Sequence, residues 1–187
     1  MSVINILEPK VYNLIAAGEV VERPASVIKE LVENSIDAGA ENIDILIESG
    51  GLSLIRVSDD GKGMGKEDLS RCILPHATSK IRQAEDLENI ASLGFRGEAL
   101  ASIAAVSRFT ITSCNGDESY KMLSEFGVIK DIQPCGRARG TTCEAANLFE
   151  NTPARLKFMK KPKQEQSEVT ATVIQLIFSR PDISFTY

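Results

Sequence analysis

The chain has 187 residues, of which 43% are hydrophobic and 25% charged, a balance that supports a packed core and excludes the disordered, collagen-like and repeat classes. A net charge of −5 and a pI near 5.1 argue against a compact nucleic-acid-binding domain, which is usually basic. Cys72, Cys114, Cys135 and Cys143 include no C-x-x-C pair and His76 is the only histidine, so free thiols in a reducing cytosol are expected rather than a zinc site, and no apolar run approaches the roughly 20 residues of a membrane span.

Residues 11–17 read as a short helix, with Gly18 placed to follow its end. A longer helix is predicted from Pro24, suited to the first helical position, through ASVIKELVENSIDA to Gly39, suited to a C-terminal cap. Its packing stripe is Val27, Ile28, Leu31, Val32, Ser35 and Ile36. NIDILIE (42–48) alternates Ile43, Ile45 and Ile47 as a half-buried strand does, Ser49-Gly50-Gly51 turns the chain, and LSLIRVSD (52–59) is its antiparallel partner. DDGKGMG (59–65) is a loop crowded with glycine, residues 66–74 read as helical up to Pro75, and 75–97 is mostly polar. EALASIAAV (98–106) is a helix. A meander of strands follows at 108–114, 119–126 and 128–134, turning at Gly116 and Gly127. A strand at 140–149, an amphipathic helix at 164–179 closed by Arg180-Pro181, and a strand at 182–187 complete the order. The mixture predicts an α+β sandwich in one domain: a single, mostly antiparallel sheet with helices on one face.

Glu30, Asn34 and Asp37 fall at i, i+4 and i+7, on one face of the long helix and at the border of its apolar stripe. A carboxylate can take a proton from water, and an amide oxygen is a hard, neutral ligand for Mg2+, which keeps most of its waters. An ordinary solvated helix face has the same spacing. In DDGKGMG, Asp59 can only accept hydrogen bonds, so it can take one from the exocyclic amine of adenine, where guanine presents a repelled carbonyl. Gly61, Gly63 and Gly65 let the backbone approach a flat base. A simple acidic turn reads alike, and a calcium loop is a weaker rival. The segment is no Walker P-loop, because Gly65-Lys66 runs into Glu67 and no glycine opens the motif. GFRGEAL (94–100) sets Gly94, Arg96 and Gly97 at a helix start, where N–H groups and the dipole attract phosphate, and where a plain N-terminal cap looks similar. Thr78-Ser79-Lys80 adds hydroxyls and an ammonium in a polar loop able to close over a ligand. Gly140-Thr141-Thr142 opens a strand, and a hydroxyl there can bond the base or Asp59, although β-branched pairs are the ordinary choice in strands. RLKFMKKPK (155–163) carries five Lys or Arg in nine residues, usually a solvated face, and the best support for a nucleic-acid contact.

Together, IAAGEVVERPASVIKELVENSIDAGA (15–40), DDGKGM (59–64), HATSKI (76–81), LGFRGEALASIAAV (93–106), GTT (140–142) and LFENTPARLKF (148–158) resemble the blocks of the N-terminal ATPase domain in the MutL family of DNA mismatch-repair proteins. That family belongs to the GHKL superfamily, with DNA gyrase, heat-shock chaperones and histidine kinases. The resemblance implies an α/β sandwich that holds ATP and Mg2+ between helices and sheet. It assigns Glu30 as the carboxylate that activates the attacking water and Asn34 as the Mg2+ ligand, with Asp37 beside them. Asp59 becomes the adenine reader, with Gly63 nearby and Thr142 as helper. Gly94, Arg96, Gly97, Glu98, Ala99 and Leu100 fall in the lid segment that wraps the phosphates, and Thr78, Ser79 and Lys80 in another ligand-ordered loop. Asp60 stands where other members can carry Asn, with little effect expected. The resemblance further implies an ATP-dependent homodimer that signals to the mismatch-recognition protein MutS and other repair proteins. DNA contact is expected to be weak or confined to the full-length dimer, and the location cytosolic (nuclear in a eukaryote). The family's second domain, which supplies a lysine to the γ-phosphate, and its C-terminal dimerisation domain do not fit within 187 residues, so hydrolysis by this chain alone is expected to be weak or absent. The rival is a nucleotide-binding interaction or signalling domain without turnover.

Overall fold

The computed structural model describes Asn5, residues 8–78 and residues 97–187. Pro9–Val20 forms α1 and Pro24–Asp37 forms α2, each with proline in its first turn. The hairpin of β1 (Asn42–Glu48) and β2 (Leu54–Asp59) follows, joined by a 3-10 turn at Ser49–Gly51. Next come α3 (Lys66–Arg71), α4 (Ala99–Ala105) and the meander β3 (Arg108–Cys114), β4 (Ser119–Glu125) and β5 (Val128–Pro134). β6 (Gly140–Ala146), α5 (Pro153–Phe158), α6 (Pro162–Ser179) and β7 (Ser184–Thr186) complete the order.

The seven strands form one sheet in the order β5-β4-β3-β6-β2-β1-β7. All pairings are antiparallel except β1 with β7, so the sheet is mixed and mostly antiparallel, as expected. β6, late in the chain, enters the middle and joins the hairpin to the meander. The core lies between the helices and one face of this sheet. Ile55, Val57, Phe109, Ile111 and Ala145 from the strands meet Val27, Ile28, Leu31 and Val32 from α2, all buried. Each such side chain contributes about 1.5–3 kcal/mol of hydrophobic burial. No helix among the described residues is long and apolar enough to cross a membrane.

Several boundaries differ from the sequence reading. Gly18 lies inside α1, not past its end; a Cβ there would overlap the Arg155 guanidinium, so this glycine serves close approach rather than capping. β2 starts two residues later than expected because the turn before it, with Gly50 at φ 69° and Gly51 at φ 90°, runs longer. β6 stops at Ala146, beyond which Asn147 and Phe149 take φ of 52° and 67°. α3 ends at Arg71 rather than at residue 74. α5 is a helix that overlaps the start of the basic run and that the sequence pattern does not signal.

Candidate functional site

α2 carries one polar edge. Its apolar stripe is turned into the core, which leaves Glu30, Asn34 and Asp37 half-buried along the border. Ser35, read from the sequence as part of the packing stripe, is instead a polar link. Its hydroxyl stands 3.1 Å from Leu31 O and 2.9 Å from Asp59 Oδ2. It has one hydrogen, and the charged acceptor takes it.

The strand register explains why Asp59 sits where it does. Ile43, Asp59, Thr141, Ser113 and Tyr120 are partners in one row across β1, β2, β6, β3 and β4, and side chains of a row share a face. Asp59 is buried on the helix-covered face. Its Oδ1 accepts the Gly61 N–H at 2.9 Å and the Thr141 N–H at 3.2 Å, and Oδ2 accepts Ser35. Those bonds use three of the roughly four acceptor positions of a carboxylate, which leaves one for a ligand's donor. Ser113 Oγ accepts the Met64 N–H at 2.8 Å and lies 2.8 Å from Thr141 Oγ1, so the loop after β2 is tied to β3 and β6 beside Asp59.

Thr142 faces the other side of the sheet. Its hydroxyl pairs with Ser58 Oγ at 2.9 Å and accepts a short bond from Arg137 Nη1. The hydroxyl on the Asp59 face belongs to Thr141, so Thr141 and not Thr142 is the neighbour of the Asp59 carboxylate. The signal lay in strand parity: Cys143 and Ala145 are the inward residues of β6, and Thr141 shares their alternation.

The two consecutive aspartates have separate jobs. Asp60 Oδ1 accepts the N–H groups of Glu41 at 2.8 Å and Asn42 at 2.9 Å, and Oδ2 accepts Asn42 Nδ2 at 2.7 Å. These bonds, the Asn42 side-chain amide first, hold the Asp60 carboxyl below the usual carboxylate range. Asp60 thus fastens the loop to the start of β1, a role that its exposed position alone does not suggest. Gly63, at φ 68°, passes so close to β3 that a Cβ would overlap the Cys114 carbonyl. Burial pushes the Cys72 thiol up to about 12 and Cys143 well above its ordinary value. All four cysteines are free, and those two stay protonated and serve packing.

Gly97, Glu98, Ala99 and Leu100 are half-buried around the start of α4, as is Thr78 before it. Gly97 takes φ 66° and a Cβ would sit 2.7 Å from Ala77 O, while Glu98 Oε1 lies 3.6 Å from His76 Nδ1. These contacts bring residues 76–77 and 97–98 together. Ser79, Lys80, Gly94 and Arg96 lie outside the described residues. The basic run is partly consumed within the chain, with Arg155 stacked 5.9 Å from the Phe149 ring centre and Lys160 Nζ 2.7 Å from Glu168 Oε1. Among the described residues no three His, Cys, Asp or Glu side chains gather as a metal cage. An amide beside a carboxylate, as at Asn34 and Glu30, suits Mg2+, which retains waters and takes further ligands from substrate phosphates.

Known proteins are similar to this chain in sequence and in fold. Residues 22–134 match the family described as "Histidine kinase-, DNA gyrase B-, and HSP90-like ATPase". The chain is 50% identical to the DNA mismatch repair protein MutL of Anaeromyxobacter sp. (strain K) and 54% identical to that of Actinobacillus pleuropneumoniae serotype 3 (strain JL03), each over 98% of this chain and 30% of the relative. It therefore spans about 30% of the length of these relatives. Its fold is similar to that of the Aquifex aeolicus MutL ATPase domain complexed with ADP, with a TM-score of 0.72 and 31% identity over 89% of this chain and 59% of that one. The matched segment holds α2, the Asp59 loop and α4, and with them in place the chain belongs to the family of histidine kinase-, DNA gyrase B- and HSP90-like ATPases.

Proposed function

We propose that the chain is the ATP-binding and hydrolysing domain of a MutL-like DNA mismatch repair protein. The observation that carries this reading is the 2.9 Å bond from Ser35 to Asp59. It makes the base-reading carboxylate and Asn34 near neighbours through one helix, as a site that grips a nucleotide at both ends requires. Asp59 accepts the adenine amine at its remaining acceptor position, and Gly61 and Gly63 give the base room. Glu30 orients a water toward the γ-phosphorus and takes its proton as the bond forms. The N–H groups around Gly97 donate to phosphate oxygens as charge develops there. Asn34 would hold the Mg2+ whose charge offsets that of the phosphates. Asp37, Thr78, Ser79, Lys80, Gly94, Arg96, Glu98, Ala99 and Leu100 complete the nucleotide-binding set.

In the full protein, ATP favours an ordered state that dimerises and signals to MutS and other repair proteins, because the ligand binds that state better. Further domains supply a γ-phosphate lysine and the permanent dimer contact, DNA is met by the dimer, and the work is done in the cytosol. The test is calorimetric titration of ATP with and without Mg2+, followed by phosphate release in the same sample. Binding that tightens with Mg2+ and is accompanied by slow release is expected. Binding without release would leave a nucleotide-binding signalling domain, and no ATP binding at all would remove the proposal.

A further inference from the structure

Between β5 and β6 the chain runs through Cys135, Gly136, Arg137, Ala138 and Arg139. Arg137 lies against the face of the sheet opposite to the Asp59 carboxylate, since its partners Ser58 and Thr142 alternate away from Asp59 and Thr141. Its Nη2 donates to the main-chain carbonyl of Asp59 at 2.8 Å and stands 3.4 Å from Ser58 Oγ, while Nη1 donates to Thr142 Oγ1. Nε is buried with no hydrogen-bond partner, so the guanidinium's placement is set by its two terminal nitrogens. Gly140, at φ 125°, passes so close over the same carbonyl that a Cβ would overlap it. The connection and the start of β6 therefore hold Asp59 twice: the Thr141 N–H donates to the carboxylate on the inner face and Arg137 donates to the carbonyl from the outer face.

We propose that Arg137 is a positioning residue for base recognition, clamping the Asp59 carbonyl and the Ser58–Thr142 pair so that the Asp59 carboxylate meets adenine in one fixed direction. This rests on reading Asp59 as the adenine-binding residue. Asp59 is the last residue of β2, where the ladder ends and no further rung restrains its ψ. A charged donor on its carbonyl supplies that restraint, and a planar guanidinium spans both strands as an ammonium cannot.

The experiment compares ADP with inosine diphosphate, which has a carbonyl in place of the amine that Asp59 reads and a hydrogen on the neighbouring ring nitrogen. Affinities are measured by calorimetry, with melting temperatures alongside, for the wild type, Arg137→Met, Arg137→Lys and Asp59→Asn. Arg137→Met is expected to weaken ADP about tenfold, equivalent to ~1.4 kcal/mol, with inosine diphosphate nearly unchanged, so the preference for ADP collapses. Arg137→Lys, which keeps one donor, is expected to recover about a third of the preference and serves as the test should the Met variant not fold. A preference unchanged in either variant, including a parallel loss for both nucleotides, overturns the proposal. If Asp59→Asn keeps full ADP binding, the assignment of the base reader fails first, and that result is distinct from an Arg137 variant that behaves as wild type while Asp59→Asn is defective.

Discussion

Glu30 and Asn34 are one helical turn apart, and their side chains are asked to do different things. On the proposed reading, replacement of Glu30 by Ala removes the general base and leaves the adenine-binding residues in place. ATP affinity is expected to stay within about twofold while phosphate release, measured in the longer protein, falls by about 10²–10⁴-fold. A variant that turns over at the wild-type rate would refute the assignment. The shared helix edge of Glu30 and Asn34 and the strand end at Asp59 were legible in the sequence from spacing, while their proposed roles came from the resemblance, since an ordinary solvated face has the same spacing. Ser35 and Arg137 were not, since their partners lie 24 and 78 residues away and only sheet pairing brings them near. Thr141 was within reach: the alternation through Cys143 and Ala145 points it inward, and the motif's second threonine distracted from that parity.

Among the elements, the hairpin of β1 and β2 and the meander of β3, β4 and β5 follow directly from alternating apolar residues and glycine turns. Ends and insertions follow less well. Gly18 resembles a cap but is a contact surface for Arg155, and α5 is too short to display a helical period. The loop from Asp59 to Gly65 is held near its start by Asp60 at β1 and at its middle by the Lys62 N–H on Ala38 O at 2.9 Å. Asp60 gives this loop a pH dependence. Its pKa is lower in the folded chain than the ordinary 3.8, so its stabilisation is complete above that value and is lost as pH falls through the folded one. The melting temperature of Asp60→Asn should therefore lie below that of the wild type at neutral pH, and the two should converge under acid conditions below pH 3.8. Curves that stay parallel down to acid would contradict this role.

For the molecule as a whole, the proposed function makes nucleotide binding and folding reinforce each other. ADP at a hundredfold excess over its Kd adds about 2.7 kcal/mol, which for a domain of this size raises the melting temperature by roughly 5–10 °C; a scanning calorimeter reads this directly, and an unmoved transition would show that the folded chain does not take up the nucleotide. The sequence conveyed the layer arrangement and the nucleotide class, because the motif blocks are long. It did not convey the strand order, since the place of β6 depends on contacts between distant segments.

That place has a consequence for biosynthesis. The hairpin is finished at Asp59 and the meander at Pro134, yet β2 and β3 share no neighbour until β6 lies between them. On the ribosome the two halves emerge as separate ribbons, and the long-range pairings that unite them come last. Until Thr141 has been translated, Asp59 lacks a donor and its row is broken. On the proposed reading, the adenine-binding row is assembled only once β6 has emerged and paired.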